Sequence, residues 1–469
     1  MEGLSSQLRN VFNTSRTRPL AFRKQQLLNL KQCITENETQ FTDAIFTDLH
    51  RVPTESQLCE LILTCREIDE SISNLKSWNK PTNFKSPIAF FPTKQCATLP
   101  EPRGAVLIIA PWNYPFLLCF SPLISAIAAG CVVCLKPSEH SPSCSSLLAT
   151  LLPKYLDPEC FVVVEGGIEE TQKLLSQPWG KIFFTGSTNV GKIVMKAASE
   201  HLTPVVIEAG GKSPTIITNT APLELTCRRL AYGKCLNNGQ TCVAPDYCLI
   251  SEQRLEEFIK GFSEVLNNFY GDDIRNSTDY SRIINQKHAE RIQKLVNDAL
   301  DKGAQLVIGD VNDINIEEKF IPPLVLVCSD FSTMDIGHEE IFGPVLLVVP
   351  VKEEENMVGF SIDYVNNRPN PLALYIFSTN SAEINLIIGS TSSGGVCIND
   401  TVVHLGTSLP FGGVGLSGFG RSHGIAGFKE FVHEKPVFHR GTVVEADKGL
   451  RYPPYTESSS KWLQRMSRI

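Results

Sequence analysis

Residues 237–245 read NNGQTCVAP, and Cys242 in that turn is a candidate nucleophile among 15 cysteines. A thiol attacks only as thiolate, which needs a helix N-terminus, a neighbouring cation or backbone donors. The nearest histidines in sequence are His201 and His288, so a Cys-His dyad has no local support. The turn's own amides and a bound cationic cofactor are the alternatives. Glu208 ends the apolar run PVVIEA and precedes Gly210-Gly211. A carboxylate there is costly to bury unless paired or protonated, which suits a general base of raised pKa. A structural cap on the Gly-Gly turn is the plainer alternative. Asn113, in the turn PWNYP after another apolar run, could donate its side-chain amide to an oxyanion, or simply form the turn.

Other motifs suit a dinucleotide. FFTGSTNVGK (183–192) reads strand, turn, helix. Gly186, Ser187, Thr188, Asn189, Val190 and Gly191 make up its G-x-x-x-x-G, and the helix N-terminus offers N–H groups to a phosphate. In LKPSEHS, Lys136 and Glu139 could bracket ribose hydroxyls or form a solvated charge pair. Glu339 and Glu340 precede a Phe-Gly-Pro turn at Phe342. LPFGGVGLSGFGRSHG holds six glycines between 412 and 424, dense enough for a tightly packed loop. No metal-binding constellation is present, and the single C-x-x-C, Cys131–Cys134, reads as two core thiols in a strand.

The elements behind these residues form an α/β pattern. Residues 5–80 are mostly helical. In TESQLCELILTCREIDESISNLKSW, Leu58, Leu61, Ile62, Cys65, Ile68, Ile72 and Leu75 mark one face, and Thr54 is the expected N-cap. From residue 104, continuous apolar runs (105–110, 131–135, 161–164, 181–186, 204–209) alternate with helical segments. A second such series follows Cys242. This predicts two doubly wound parallel sheets joined near residue 210. A length of 469 residues fits two large domains, and 42% hydrophobic with 20% charged residues is the balance of a soluble globular chain. The net charge of −7 argues against nucleic acid as partner.

PWNYP, KPSE, FTGSTNVGK, EAGGKSP, NNGQTC, EEIFGPVL and LPFGGVGLSGFG, taken in this order, resemble the aldehyde dehydrogenase superfamily from about residue 5 to 440. The short N-terminus, HLTPVVIEAGGKSP and RYPP are similar to its class 3 branch, which acts on medium- and long-chain aliphatic and aromatic aldehydes. The resemblance implies Cys242 as nucleophile, Asn113 as oxyanion donor and Glu208 as general base. It implies Gly186 to Gly191 at the cofactor phosphates and Lys136 and Glu139 at the adenosine ribose. Glu340 and Phe342 would hold the nicotinamide end of NAD or NADP, and Glu340 is a second carboxylate able to orient water.

The implied organisation is a Rossmann-like NAD(P)-binding domain at 1–80 and 100–210 and a catalytic domain at 211–410. A small β oligomerisation extension would use 81–99 and 411–440, with 441–469 as a tail. A homodimer and a small-molecule aldehyde substrate are expected. A CoA-acylating enzyme and a retired cofactor-binding protein are the alternatives. The first residues lack a secretory core, so the expected compartment is cytoplasmic. Trp462, Leu463, Met466 and Ile469 at helical spacing among basic residues could instead touch a membrane peripherally. The final Ser-Arg-Ile loosely resembles a peroxisomal address.

Overall fold

The computed structural model describes residues 3–85, 93–440, 442 and 451–466. The terminal Ser-Arg-Ile lies outside them. A six-stranded sheet has the order Gly418–Phe419, Val205–Ala209, Lys181–Gly186, Ala105–Ile109, Val132–Lys136, Phe161–Val163. Its five longer-range strands are parallel, and the residues of Ala105–Ile109 and Val132–Lys136 are all buried. Helices cover both faces, as such continuous apolar runs require.

A seven-stranded sheet runs Gln305–Ile308, Leu324–Val327, Val345–Val351, Pro245–Ser251, Ser213–Ile217, Ala373–Phe377, Gly395–Ile398. The sequence pattern predicts wholly parallel sheets, but each of the two is mixed. Gln305–Ile308 and Gly418–Phe419 each add an antiparallel edge. Ser213–Ile217 lies inside its sheet and is fully buried, although Pro214 and Thr215 break its apolar pattern. Thr82–Asn83, Thr93–Pro102 and Val432–Arg440 form a third, antiparallel sheet.

The long N-terminal helix departs from its expected register. It begins at Pro53, with Val52 rather than Thr54 in the capping position, and makes a π-turn at Gln57–Leu61 before continuing over Ile62–Trp78. The extra residue in that turn rotates the upstream face. Leu61, Ile68 and Leu75 stay in the core, whereas Leu58 and Ile62 are 51% and 44% exposed.

The parallel register brings chemistry to one edge. Ile109 pairs with Lys136, Thr185 with Glu208 and Gly186 with Ala209. The carboxyl ends of these strands therefore deliver Asn113, Lys136, Ser187 and Glu208 to the same side of the sheet, where open α/β sheets bind ligands.

Candidate active site

The Cys242 turn is held from several directions. The helix Leu223–Cys235 ends in a tight turn in which Asn237, Asn238 and Gly239 have φ of 50°, 55° and 71°. Asparagine tolerates this left-handed region better than most residues. At Gly239 a Cβ would come within 2.3 Å of the Gly343 carbonyl, so only glycine fits. The Asn238 amide donates to Ser281 O at 2.6 Å, and Gln240 accepts from the Ile284 amide at 2.9 Å. Past the cysteine, Tyr375 donates its hydroxyl to Val243 O at 2.5 Å.

Asn113 is buried, and its side-chain amide donates to Gln240 O at 3.0 Å. Its own carbonyl accepts from Asn237 Nδ2 at 2.8 Å and from Arg51 at 3.3 Å. Arg51 pairs with Glu60 in full burial, and the other Glu60 oxygen accepts from the amides of Phe116 and Leu117 at 2.7 and 2.9 Å. A carboxylate from one helix thus satisfies the N-terminal amides of the helix Leu117–Ala129. That pair fixes the turn carrying Asn113.

Two cavities meet at Cys242. One, of about 580 Å³, is lined by Trp112, Asn113, Gly186, Ser187, Thr188, Asn189, Glu340 and Phe342, among others. The other, of about 290 Å³, is largely apolar, with Leu58, Leu63, Leu117, Val403, Leu405 and Phe411 on its wall. Cys242 and Glu208 line both, whereas Asn113 and Glu340 line only the polar one.

Both carboxyls are held in an unusual state. Burial pushes Glu208 up to about 7, opposed by Ser422 and His423. Its Oε1 has no hydrogen-bond partner. Burial likewise raises Glu340 to about 8, against the Gly211 amide, which favours the anion. The Glu340 carboxylate lies over the Gly210–Gly211 turn so closely that a Cβ on Gly210 would fall 2.2 Å from Oε1. Cys242 is raised as well, by burial first and then by Glu340 and Glu208, with the amides of Cys242 and Val243 acting the other way. A positive charge in the polar cavity would act in the opposite direction and favour the thiolate.

The polar cavity suits a dinucleotide. Ser187 caps the helix Thr188–Ser199 by accepting from Val190 N at 3.4 Å. Ser187, Thr188 and Asn189 line the cavity; Val190 and Gly191 do not. Gly191 instead faces the sheet, where a Cβ would approach Ile207 Cγ2 to 3.0 Å. Gly186 has no left-handed backbone, and the constraint there is space: a Cβ would lie 2.6 Å from the Phe184 ring. Lys136 and Glu139 pair with each other at 2.9 Å and stand outside the cavity wall. Trp112 meets Phe342 edge to face at 5.5 Å and His288 at 5.2 Å.

The profile of the Aldehyde dehydrogenase family matches residues 6–437. The chain belongs to this family. Aldehyde dehydrogenase family 3 member A2 of Mus musculus is 42% identical over 98% of the chain and 93% of the relative. Aldehyde dehydrogenase, dimeric NADP-preferring, of Canis lupus familiaris is 41% identical over 95% of the chain and 96% of the relative. Among solved structures, the substrate-bound state of Staphylococcus aureus AldH superposes with a TM-score of 0.93 at 41% identity, covering 98% of both chains. The parallel sheets and antiparallel edges are thus an aldehyde dehydrogenase fold.

Several residues around this aldehyde dehydrogenase site carry no distinct sequence signal. His288 and Arg291 reach the polar cavity from the helix Gln286–Asp301, remote in sequence from every motif. Ser422 and His423 border Glu208 in the apolar cavity. Both stand within the glycine-rich motif, but only the antiparallel pairing of Gly418 with Glu208 explains why they arrive there.

Proposed function

We propose that this aldehyde dehydrogenase oxidises medium- and long-chain aliphatic or aromatic aldehydes to carboxylic acids through a thioester on Cys242. One observation carries the reading: Cys242 and Glu208 are shared by an apolar cavity that suits an acyl chain and a polar one that meets the N-terminus of the helix Thr188–Ser199. The Cys242 sulfur adds to the aldehyde carbon, and the resulting oxyanion accepts from Asn113 Nδ2 and the Cys242 amide. NAD(P)+, when bound, supplies the hydride acceptor and a positive charge that favours the thiolate. Glu208 then removes a proton from water, the water oxygen attacks the thioester carbon, and sulfur leaves as thiolate. Glu340 has the other role: fixed over Gly210, it would hold the nicotinamide ribose, and Phe342 would hold the ring.

Ser187, Thr188 and Asn189 would receive the pyrophosphate at the helix N-terminus, with Gly186, Val190 and Gly191 shaping the turn. The Lys136–Glu139 pair would meet the adenosine ribose, and Glu139 would repel a 2′-phosphate. The dog relative's NADP-preferring name supports use of both cofactors nonetheless.

The remaining organisation is proposed on the same footing. Residues 1–80 and 100–210 serve cofactor binding, and 211–410 catalysis. Segments 81–99 and 411–440 serve homodimer formation, with 441–469 as a tail. The word dimeric in the dog relative's name supports this. Among the described residues no helix is long and apolar enough to cross a membrane. The helix Glu457–Met466, with Trp462 and Leu463 half exposed, supports at most a peripheral contact from a cytoplasmic location.

The test is direct. Protein mixed with hexanal or benzaldehyde and NAD+ or NADP+, without CoA, should produce reduced cofactor and the free acid. No signal with any such aldehyde and either cofactor overturns the reading.

A further inference from the structure

Behind Glu208 lies a second ionisable cluster that the mechanism above does not use. His423 sits at φ 67°, ψ 142° and turns its ring toward the helix Ile62–Trp78. Its Nδ1 is 3.6 Å from Glu67 Oε2, with the two side chains 12% and 8% exposed. The Ser121 hydroxyl donates to the other Glu67 oxygen at 3.0 Å and lies 3.5 Å from His423 Nδ1. Glu208, Ser121, Ser422 and His423 all line the apolar cavity. His423 and Glu67 also line an adjoining cavity of about 310 Å³, walled further by Arg66, Glu70, Thr407 and Ser408. One imidazole therefore borders both the space holding Glu208 and the space walled by Glu67 and Glu70.

This geometry matters because Glu208 is enclosed. A base that takes a proton from water in each turnover must pass it on before the next. An apolar substrate chain in the cavity closes the route through that side. Resting on the aldehyde-oxidising reading, we infer that His423, held by Glu67 and Ser121, is a positioning residue that takes the proton from Glu208 and passes it to solvent during thioester hydrolysis. Water loses one proton to the Glu208 carboxylate as its oxygen bonds the thioester carbon. The C–S bond breaks, sulfur leaves as thiolate and the acid departs. The proton on Glu208 moves to neutral His423, whose imidazolium is paired with Glu67, and from there to water in the adjoining cavity.

The electrostatics agree. Burial lowers the His423 pKa, but Glu67, Glu208 and Glu70 outweigh it and raise the imidazole above its ordinary value. The charged and titratable groups facing it are Glu67 and Glu70 from the helix, Glu208 from its strand and His404 from the turn after Val402, with Arg66 on the wall of the same cavities. An imidazole that is easily protonated beside a carboxyl near 7 lets the proton move without a large uphill step.

His423→Gly tests this with little backbone cost, since a positive φ is natural to glycine. Stopped-flow mixing with aldehyde and NAD+ separates the burst of reduced cofactor from the later steady rate set by hydrolysis. The relay predicts that His423→Gly lowers the steady rate on the order of 10²-fold, and at least tenfold more than the burst. Added imidazole should restore the steady rate in proportion to its concentration. Glu67→Gln should reproduce the selective loss more weakly. A steady rate equal to wild type, or a loss that imidazole does not restore, overturns the relay. If the glycine variant does not fold, the same comparison on Glu67→Gln decides, and equal loss of burst and steady rate overturns it. Absence of any reduced cofactor in the wild type would instead contradict the aldehyde-oxidising reading itself.

Discussion

The side-chain amide of Asn113 donates to the backbone carbonyl of Gln240 at 3.0 Å, two residues before Cys242. A side chain from one sheet's carboxyl edge is thereby tied to the nucleophile turn of the other. One of its N–H groups is spent on that link, and the other is available to an oxyanion at Cys242. Asn113→Ala removes both. Loss of one oxyanion donor costs about 10²–10³ in kcat, so Asn113→Ala should lose activity by that factor, with a stability loss of about 1–3 kcal/mol from the missing buried hydrogen bond. Progress curves and thermal melts check this.

Glu208 yields a prediction with a sign. Its carboxyl is raised to about 7 in the fold, against about 4.3 for an unfolded glutamate. A group with a raised folded pKa favours the fold below its unfolded pKa and loses that contribution as pH rises through the folded value. Wild type should therefore lose stability between about pH 4.3 and 7 on the order of 3 kcal/mol from this group. Glu208→Gln should unfold at a higher temperature than wild type at pH 8, with the gap narrowing toward pH 5. Its turnover should be nearly abolished, while the wild-type hydrolysis rate climbs with pH through about 7. Melting curves and rate profiles at matched pH would expose a flat gap as a contradiction.

The buried Arg51–Glu60 pair predicts a structural cost. Removing one partner of a buried ion pair costs about 3–5 kcal/mol because the other is left uncompensated. Glu60→Ala also strips the amides of Phe116 and Leu117 of their acceptor. Urea denaturation should show a loss of this size; a change under 1 kcal/mol would show that the pair does not anchor the Asn113 turn.

Gly210 predicts an effect on the cofactor end. An added Cβ would fall 2.2 Å from Glu340 Oε1, so Gly210→Ala must displace that carboxylate. Initial rates should show a raised KM for NAD(P)+ with a smaller change in KM for aldehyde. The reverse pattern would remove Glu340 from the cofactor end.

Much of this architecture is legible in the chain, and the exceptions have physical causes. Ala105–Ile109 and Val132–Lys136 declare themselves because strands buried on both faces need unbroken apolar runs. Ser213–Ile217 does not, because Pro214 and Thr215 are buried by neighbours rather than by their own hydrophobicity. Leu58 misleads because a π-turn, invisible in a three-four pattern, swings it from the core to the cavity wall. At the site, Cys242, Asn113 and Glu208 stand out through their turns. The Glu67–His423 contact joins positions more than 350 residues apart, and no local pattern encodes it.

The apolar cavity predicts a dependence on chain length. Each methylene buried contributes about 0.8 kcal/mol, close to fourfold in kcat/KM. That gain should persist until the chain outgrows the cavity. Leu63→Trp, on its wall, should shorten the preferred aldehyde, and an unchanged length profile would place the acyl chain elsewhere.

The central claim is the thioester on Cys242, and trapping it is the most direct measurement. Glu208→Gln should form this adduct and hydrolyse it slowly. Mass spectrometry of that variant, quenched in acid after mixing with hexanal and NAD+, should find a hexanoyl group on the peptide carrying Cys242 alone. An adduct on another cysteine, or reduced cofactor formed at the wild-type rate by Cys242→Ala, would contradict the account.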